Sequence, residues 1–177
     1  RMSQTQTSAS ILKPAVFFDR DGVLNRDRGY VYKIEDWEWI DGAISAIKKF
    51  NALYYFVFIV TNQSGVGRDF YGEDDVNVLH DFMKKEVLQH GAHIDAIRYC
   101  PHHIDAKLDE YKIDCDWRKP KSGMIDDLLL SFPVDKSKSL LVGDKKTDIE
   151  AADHAGIHAL LFQSDNLDEF LTEAGYF

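Results

Sequence analysis

Two aspartates one residue apart, Asp19 and Asp21, follow the apolar run Val16-Phe17-Phe18 and precede Gly22. Carboxylates that close repel each other, and a divalent cation is the simplest reason for them to coexist. Asp144 follows a second short apolar run, Ser139-Leu140-Leu141-Val142, and supplies a third carboxylate. Thr61 follows a third such run, 54–60, and offers a hydroxyl. Arg118-Lys119 brings positive charge from a polar stretch. A carboxylate nucleophile, an acid/base, a metal and a cation for the equatorial oxygens are the parts phosphoryl transfer uses. Taken singly, each has a plainer reading. Asp19 and Asp21 also read as turn residues with a capping role. Thr61 reads as an ordinary strand-end threonine and Lys119 as a solvated lysine. Asp148 either supports the site or caps its helix. Lys145 and Lys146 read as surface charges. His80, His90, His93, His154 and His158 carry no motif and read as structural or solvated.

These residues need elements to position them. The run before Asp19 has no polar alternation and predicts a strand buried on both faces. Asp41-Gly42 opens a helix with Asp41 as N-cap, and Ile44, Ile47 and Phe50 recur at helical spacing. A second buried strand is predicted over 54–60. A helix begins at Glu73-Asp74-Asp75, where its dipole favours acidic residues, and ends near His90-Gly91. A third strand covers 96–100, and a helix covers 124–132. A fourth strand at 139–142 ends in Gly143-Asp144, and the helix 148–155 stops at Gly156. A fifth strand at 157–162 and a helix over 167–174 complete the pattern. Strands alternating with helices imply an α/β fold: a three-layer Rossmann-like parallel sheet with helices on both faces. In such a sheet the carboxyl ends of the strands share one edge, so Asp19, Asp21, Thr61 and Asp144 can meet.

The 177 residues suit one domain, read as 11–177 after a polar, disordered tail at 1–10. Arg1 ahead of Met2 reads as a remnant of cloning. A formal net charge of −9 and the lack of a basic patch argue against a nucleic-acid partner. No apolar run is long enough to span a bilayer, and no secretory pattern opens the chain. A cytoplasmic monomer is the default expectation. In that setting the two cysteines, Cys100 and Cys115, suggest a metal site before a disulfide.

Asp19-Arg20-Asp21-Gly22, Thr61-Asn62-Gln63-Ser64-Gly65, Arg118-Lys119-Pro120 and Gly143-Asp144-Lys145 resemble, in order, the four motifs of the haloacid dehalogenase superfamily of phosphatases. Gly29-Tyr30-Val31, Asp41-Gly42, Tyr99-Cys100-Pro101-His102-His103 and Gly123-Met124 look like one branch, the D-glycero-D-manno-heptose 1,7-bisphosphate phosphatases. The related histidinol-phosphate phosphatases share much of this pattern. The resemblance implies that Asp19 attacks phosphorus and that Asp21 serves as acid, then base. It implies that Thr61 and Lys119 hold the phosphoryl oxygens and that Arg118 recognises substrate. Magnesium would be held by Asp19, the backbone carbonyl of Asp21, and Asp144, with support from Lys145 and Asp148. Asp27, Arg28, Gly29, Tyr30, Asn62, Gln63, Ser64 and Lys145 would meet a phosphorylated sugar. The loops after Asp21 and Thr61 are too short for a large cap domain, which leaves the mouth open. A binding protein that merely retains the fold would be expected to lack one of these catalytic residues.

The branch often carries a structural zinc on Cys-x-His and Cys-x-Cys. Here Cys100-Pro101-His102 is followed by Cys115-Asp116-Trp117, and indole cannot ligate zinc. Cys100, His102 and Cys115 remain, with His103, Asp116 or water to complete the shell; the alternative is that Trp117 packs the loop in place of a metal.

Overall fold

The structure, a computed structural model, describes residues 11–177; the expected disordered tail lies outside the described residues. Five strands form one sheet: β1 (Ala15–Phe18), β2 (Phe56–Asn62), β3 (Ala96–Cys100), β4 (Leu140–Gly143) and β5 (His158–Leu161). All four strand pairings are parallel, in the order β3-β2-β1-β4-β5. The helices are α1 (Ala43–Ala52), α2 (Glu73–Gln89), α3 (Gly123–Ser131), α4 (Lys146–Ala155) and α5 (Leu167–Glu173). Among the described residues no helix is long and apolar enough to cross a membrane.

The apolar run at β1 is explained by its surroundings. Val16 and Phe18 face one core with Ile47 and Phe50 of α1, Leu79 and Met83 of α2, and Leu167 and Leu171 of α5. Ala15 and Phe17 face the other, with Met124, Ile125 and Leu128 of α3 and Ala151, Ala152 and Ala155 of α4. Successive side chains of a strand point to opposite faces, so a central strand covered twice has no place for polar alternation. From β1 the chain winds outward to β2 and β3, then returns to the other side for β4 and β5. This reversal opens a crevice at the carboxyl ends of β1 and β4, where open α/β sheets bind ligands.

Several boundaries differ from expectation. Strand β2 starts at Phe56, because Tyr54, at φ +63°, belongs to the turn that closes α1. It runs on to Asn62, which places Thr61 inside the strand. Helix α1 is capped by Gly42, not Asp41. Gly42 takes φ +79°, and a Cβ there would come within 2.2 Å of Asn166 Oδ1, so only glycine serves. Helix α4 begins at Lys146, two residues before Asp148.

Candidate active site

The crevice is lined by charge. Asp19 follows β1, Asp144 follows β4, and Asp148 sits in the first turn of α4; their carboxylate oxygens lie within 4.8 Å of one another. Gly22 permits this approach. It holds φ +90°, and a Cβ there would stand 2.1 Å from Asp144 Oδ2. Asp148 both caps α4 and joins the site, as the third residue of the helix in a capping box with Lys145. Its Oδ2 reaches back to accept the amides of Asp144 at 3.2 Å and Lys145 at 3.1 Å. Its Oδ1 pairs with Lys119 Nζ at 2.7 Å.

Lys119 is buried, and all three of its N–H donors are engaged. Besides Asp148 it donates to Asp19 Oδ1 at 2.8 Å and to the Val60 carbonyl at 2.9 Å. Asn62 fixes the backbone of Lys119: its amide donates to the Lys119 carbonyl at 3.1 Å and its carbonyl accepts the Lys119 amide at 3.0 Å. The long loop is thus stitched to the end of β2.

Three buried or half-buried carboxylates against one ammonium leave two negative charges uncompensated. Burial raises the pKa of Asp19 well above its usual value, against the pull of Lys119 and with the repulsion of Asp148. Asp144 is raised too, first by burial and then by Asp148. Burial alone would depress Lys119, but Asp19 and Asp148 raise it instead. Asp144 Oδ1 is buried and has no hydrogen-bond partner among the described residues. This donor set fits a hard divalent cation placed between Asp19 and Asp144.

Asp21 has a different environment. Its carboxylate accepts from Arg20 Nη2 at 3.0 and 3.1 Å, from Asn25 at 3.0 Å and from Gln63 at 3.1 Å. Burial pushes its pKa up, but the Arg20 guanidinium and these hydrogen bonds outweigh burial and hold it below the usual value. Gln63 also donates to Thr61 Oγ1 at 2.8 Å and accepts from the Tyr71 hydroxyl at 2.7 Å.

The comparisons with known proteins agree with this arrangement. Residues 116–173 match a family model described as HAD-hydrolase-like. Over 94% of its length the chain is 45% identical to the D-glycero-β-D-manno-heptose-1,7-bisphosphate 7-phosphatase of Rhodopseudomonas palustris, covering 93% of that protein. The chain belongs to the heptose bisphosphate phosphatases. A D-glycero-α-D-manno-heptose-1,7-bisphosphate 7-phosphatase from Burkholderia mallei is 44% identical over 85% of this chain and 80% of its own. Among solved structures, the D,D-heptose 1,7-bisphosphate phosphatase of B. bronchiseptica, complexed with magnesium and phosphate, aligns with a TM-score of 0.77. It is 34% identical and covers 92% of this chain and 87% of that one.

In this phosphatase a cavity of about 420 Å³ is lined by Asp21, Lys119 and Lys145, and a pocket of about 60 Å³ that shares these residues reaches Asp19 and Asp148. Of the residues expected to meet substrate, Asp27, Gly29, Tyr30, Asn62, Gln63, Ser64, Arg118 and Lys145 all line the larger cavity. Arg28 does not. Its guanidinium pairs with Glu38 on the surface. The amides of Asn62 and Gln63 are committed to Lys119, Asp21 and Thr61, so these residues chiefly hold the machinery. Sequence reasoning missed Tyr71 and Thr147, which also line the cavity. It missed Arg68 as well. Arg68 Nε and Arg118 Nη1 are buried without hydrogen-bond partners among the described residues. Arg68 lies close enough to help burial lower the pKa of both Arg118 and His103.

A larger cavity, about 570 Å³, lies beside the thiols and is lined in part by Cys100, His102, Cys115 and Trp117. It holds none of the active-site aspartates, so size does not mark the chemistry here. Ligand atoms of Cys100, His102 and Cys115 lie within 4.8 Å of one another. Cys100 Sγ is 3.9 Å from His102 Nδ1. Tetrahedral zinc would set that distance at about 3.6 Å. His103 is outside the cluster: its Nδ1 accepts the Asp105 amide at 2.9 Å. Asp116 is exposed and faces Lys121. Trp117 packs against the core under α3, where a Cβ on Gly123 would meet its Cδ1 at 2.7 Å.

Proposed function

We propose that this phosphatase removes the 7-phosphate of D-glycero-D-manno-heptose 1,7-bisphosphate through an aspartyl-phosphate intermediate. The observation that carries the reading is the cluster of Asp19, Asp144 and Asp148, two of them paired with Lys119, with Asp19 and Asp148 reaching a small pocket beside the cavity. Asp19 would attack phosphorus while the bond to the sugar oxygen breaks. Asp21, ionised in the resting site, would take a proton from the phosphomonoester monoanion and pass it to that leaving oxygen. Asp21 would then take a proton from water, whose oxygen attacks phosphorus and releases Asp19. Thr61 retains a hydroxyl proton for a phosphoryl oxygen, since its own contact to the Asn62 carbonyl is long, 3.5 Å. Lys119 would exchange one of its present acceptors for another. Magnesium on Asp19, Asp144 and the Asp21 carbonyl would supply charge that keeps Asp19 ionised and offsets the phosphoryl oxygens. The unpartnered nitrogens of Arg68 and Arg118 favour a substrate with a second anionic group. Every group named comes from one chain, so this scheme needs no residue from a second copy.

The test is phosphate release from both heptose bisphosphate anomers and from histidinol phosphate, side by side, with magnesium and with chelator. Magnesium-dependent turnover of a heptose bisphosphate is expected to exceed that of histidinol phosphate by at least tenfold. The opposite preference would move the chain to the histidinol-phosphate reading. Full activity in chelator would remove the metal from the scheme.

Zinc on Cys100, His102 and Cys115 belongs to the same proposal. Burial drives the Cys100 thiol up to about 12, with Cys115 adding to the effect, so only a bound cation would make it a thiolate at neutral pH. With three protein ligands we expect zinc to copurify at less than one per chain and to leave on prolonged dialysis against chelator. One zinc per chain that survives this treatment would mean that a fourth side chain moves in.

A further inference from the structure

Arg20 lies between the two active-site aspartates in sequence, yet its side chain points away from the cavity and is wholly buried. Its Nη2 grips both oxygens of Asp21 and also donates to the Val31 carbonyl at 2.7 Å. Its Nε adds a longer contact to Asp21 at 3.4 Å. The other terminal nitrogen, Nη1, has one partner among the described residues: Nε2 of His80, at 3.2 Å. His80 is on the inner face of α2, 5% exposed, with its ring edge-on to Tyr99 at 5.9 Å.

A guanidinium carries only donors, so His80 Nε2 must be the acceptor and the ring proton must sit on Nδ1. Burial and the adjacent Arg20 lower the His80 pKa to about 3, which keeps the ring neutral and its lone pair available. Arg20 is a planar fork, so fixing Nη1 fixes the plane in which Nη2 and Nε meet Asp21. Without His80, Nη1 would be a buried donor with no acceptor, and the fork would rest on Asp21 and the Val31 carbonyl alone.

We propose that His80 is a positioning residue for the acid/base carboxylate: it holds the Arg20 guanidinium, and through Arg20 it sets the orientation of Asp21. It touches neither substrate nor metal. The inference rests on the acid/base role of Asp21 argued above. It goes beyond that reading in giving α2, which carries none of the residues assigned a chemical step, a part in that step.

The experiment uses the full chain loaded with magnesium and a heptose bisphosphate. Wild-type turnover tests the underlying reading on its own, and its absence would sink that reading before any variant is compared. His80→Leu, close in bulk but without an acceptor, is expected to lower kcat about tenfold with KM changed less than twofold, because a misplaced proton donor costs rate rather than binding. His80→Gln, whose amide oxygen can accept from Nη1, should recover most of the loss. In an Arg20→Lys background, where the fork is already gone, His80→Leu should change kcat less than twofold. His80→Phe repeats the comparison if the leucine variant does not fold. A leucine or phenylalanine variant with normal kcat overturns the proposal. So does a loss that glutamine fails to restore, or one that adds in full to Arg20→Lys, since either would mark a packing role.

Discussion

Two clusters of ligand-type side chains lie near the carboxyl edge of the sheet, and they are held in opposite ways. The carboxylates of Asp19, Asp144 and Asp148 sit at or next to the ends of buried central strands, tied by Lys119 and by backbone amides. The thiols and imidazole of Cys100, Cys115 and His102 are spread over a loop that begins at the edge strand β3. Besides the Asn62 stitch to β2, a carboxylate clamps that region to α2. Glu73, at the start of α2, accepts the Tyr99 hydroxyl at 2.7 Å and the Tyr111 hydroxyl at 2.8 Å. Central strands fix the reacting groups through the fold itself, whereas the loop that delivers Arg118 and Lys119 needs clamps of its own.

The sharpest break of the first cluster is Asp19→Asn. An amide is a poor nucleophile, so turnover should vanish while circular dichroism stays native. A near-normal rate would end the covalent scheme. Asp21→Asn should lower kcat by about 10²–10⁴-fold, the usual worth of a proton-transfer group. A loss below about tenfold, on the same scale, would deny it the acid/base role. Lys119→Met probes the cluster as structure. It leaves Asp19 and Asp148 buried without their cation, a change that costs about 3–5 kcal/mol when a buried pair is broken. Urea unfolding in chelator would measure it, and a shift under about 1 kcal/mol would place the pair among weak surface bridges.

On the loop side the expected effects are smaller. Glu73→Gln weakens two hydrogen bonds to a charged acceptor, each worth about 1.5–3 kcal/mol. Part of that loss should reach Lys119, lowering kcat by about tenfold, since displaced positioning groups cost rate. Faster proteolytic nicking between residues 101 and 117 should accompany it. Unchanged kcat and cleavage would show that the loop does not depend on this clamp.

A further effect is one of pH. His80 is neutral when folded, its pKa lowered to about 3 by burial and by Arg20, with Lys84 adding to the effect and Asp21 opposing it. In the unfolded chain it titrates near 6.5. Its contribution is therefore complete above about 6.5 and is lost as pH falls toward 3, by about 1.4 kcal/mol per unit. His80→Gln should flatten that limb in unfolding experiments between pH 6 and 4. Identical slopes would mean that acid lability comes from other groups.

Much of the first cluster was legible because strand ends announce themselves. Asp19 and Asp144 each follow an unbroken apolar run, and a doubly covered parallel sheet leaves few other places for such runs to go. Arg20 and His80 were not legible. A buried arginine between two aspartates looks like a surface charge, and a histidine on a helix declares neither its face nor its partner. Arg28 stands apart from its neighbours: Asp27, Gly29 and Tyr30 line the cavity, whereas its own side chain pairs with Glu38. Tyr54 and Tyr55 looked like strand residues by type, yet Tyr54 closes a helix and β2 begins only at Phe56. Side-chain direction in loops is decided by tertiary contacts, which no spacing encodes.

The contact between Lys119 and Asp19 joins positions one hundred residues apart. No fragment that ends before Lys119 can close it, and β4 must then be threaded beside β1 before Asp144 arrives. Catalysis is therefore a report on completed topology. Any ligand that binds the assembled carboxylates binds only the finished sheet, and by mass action it draws the whole chain toward that state. A metal ion seated in the crevice would act as a thermodynamic keystone for two halves of the sheet laid down at opposite ends of the sequence.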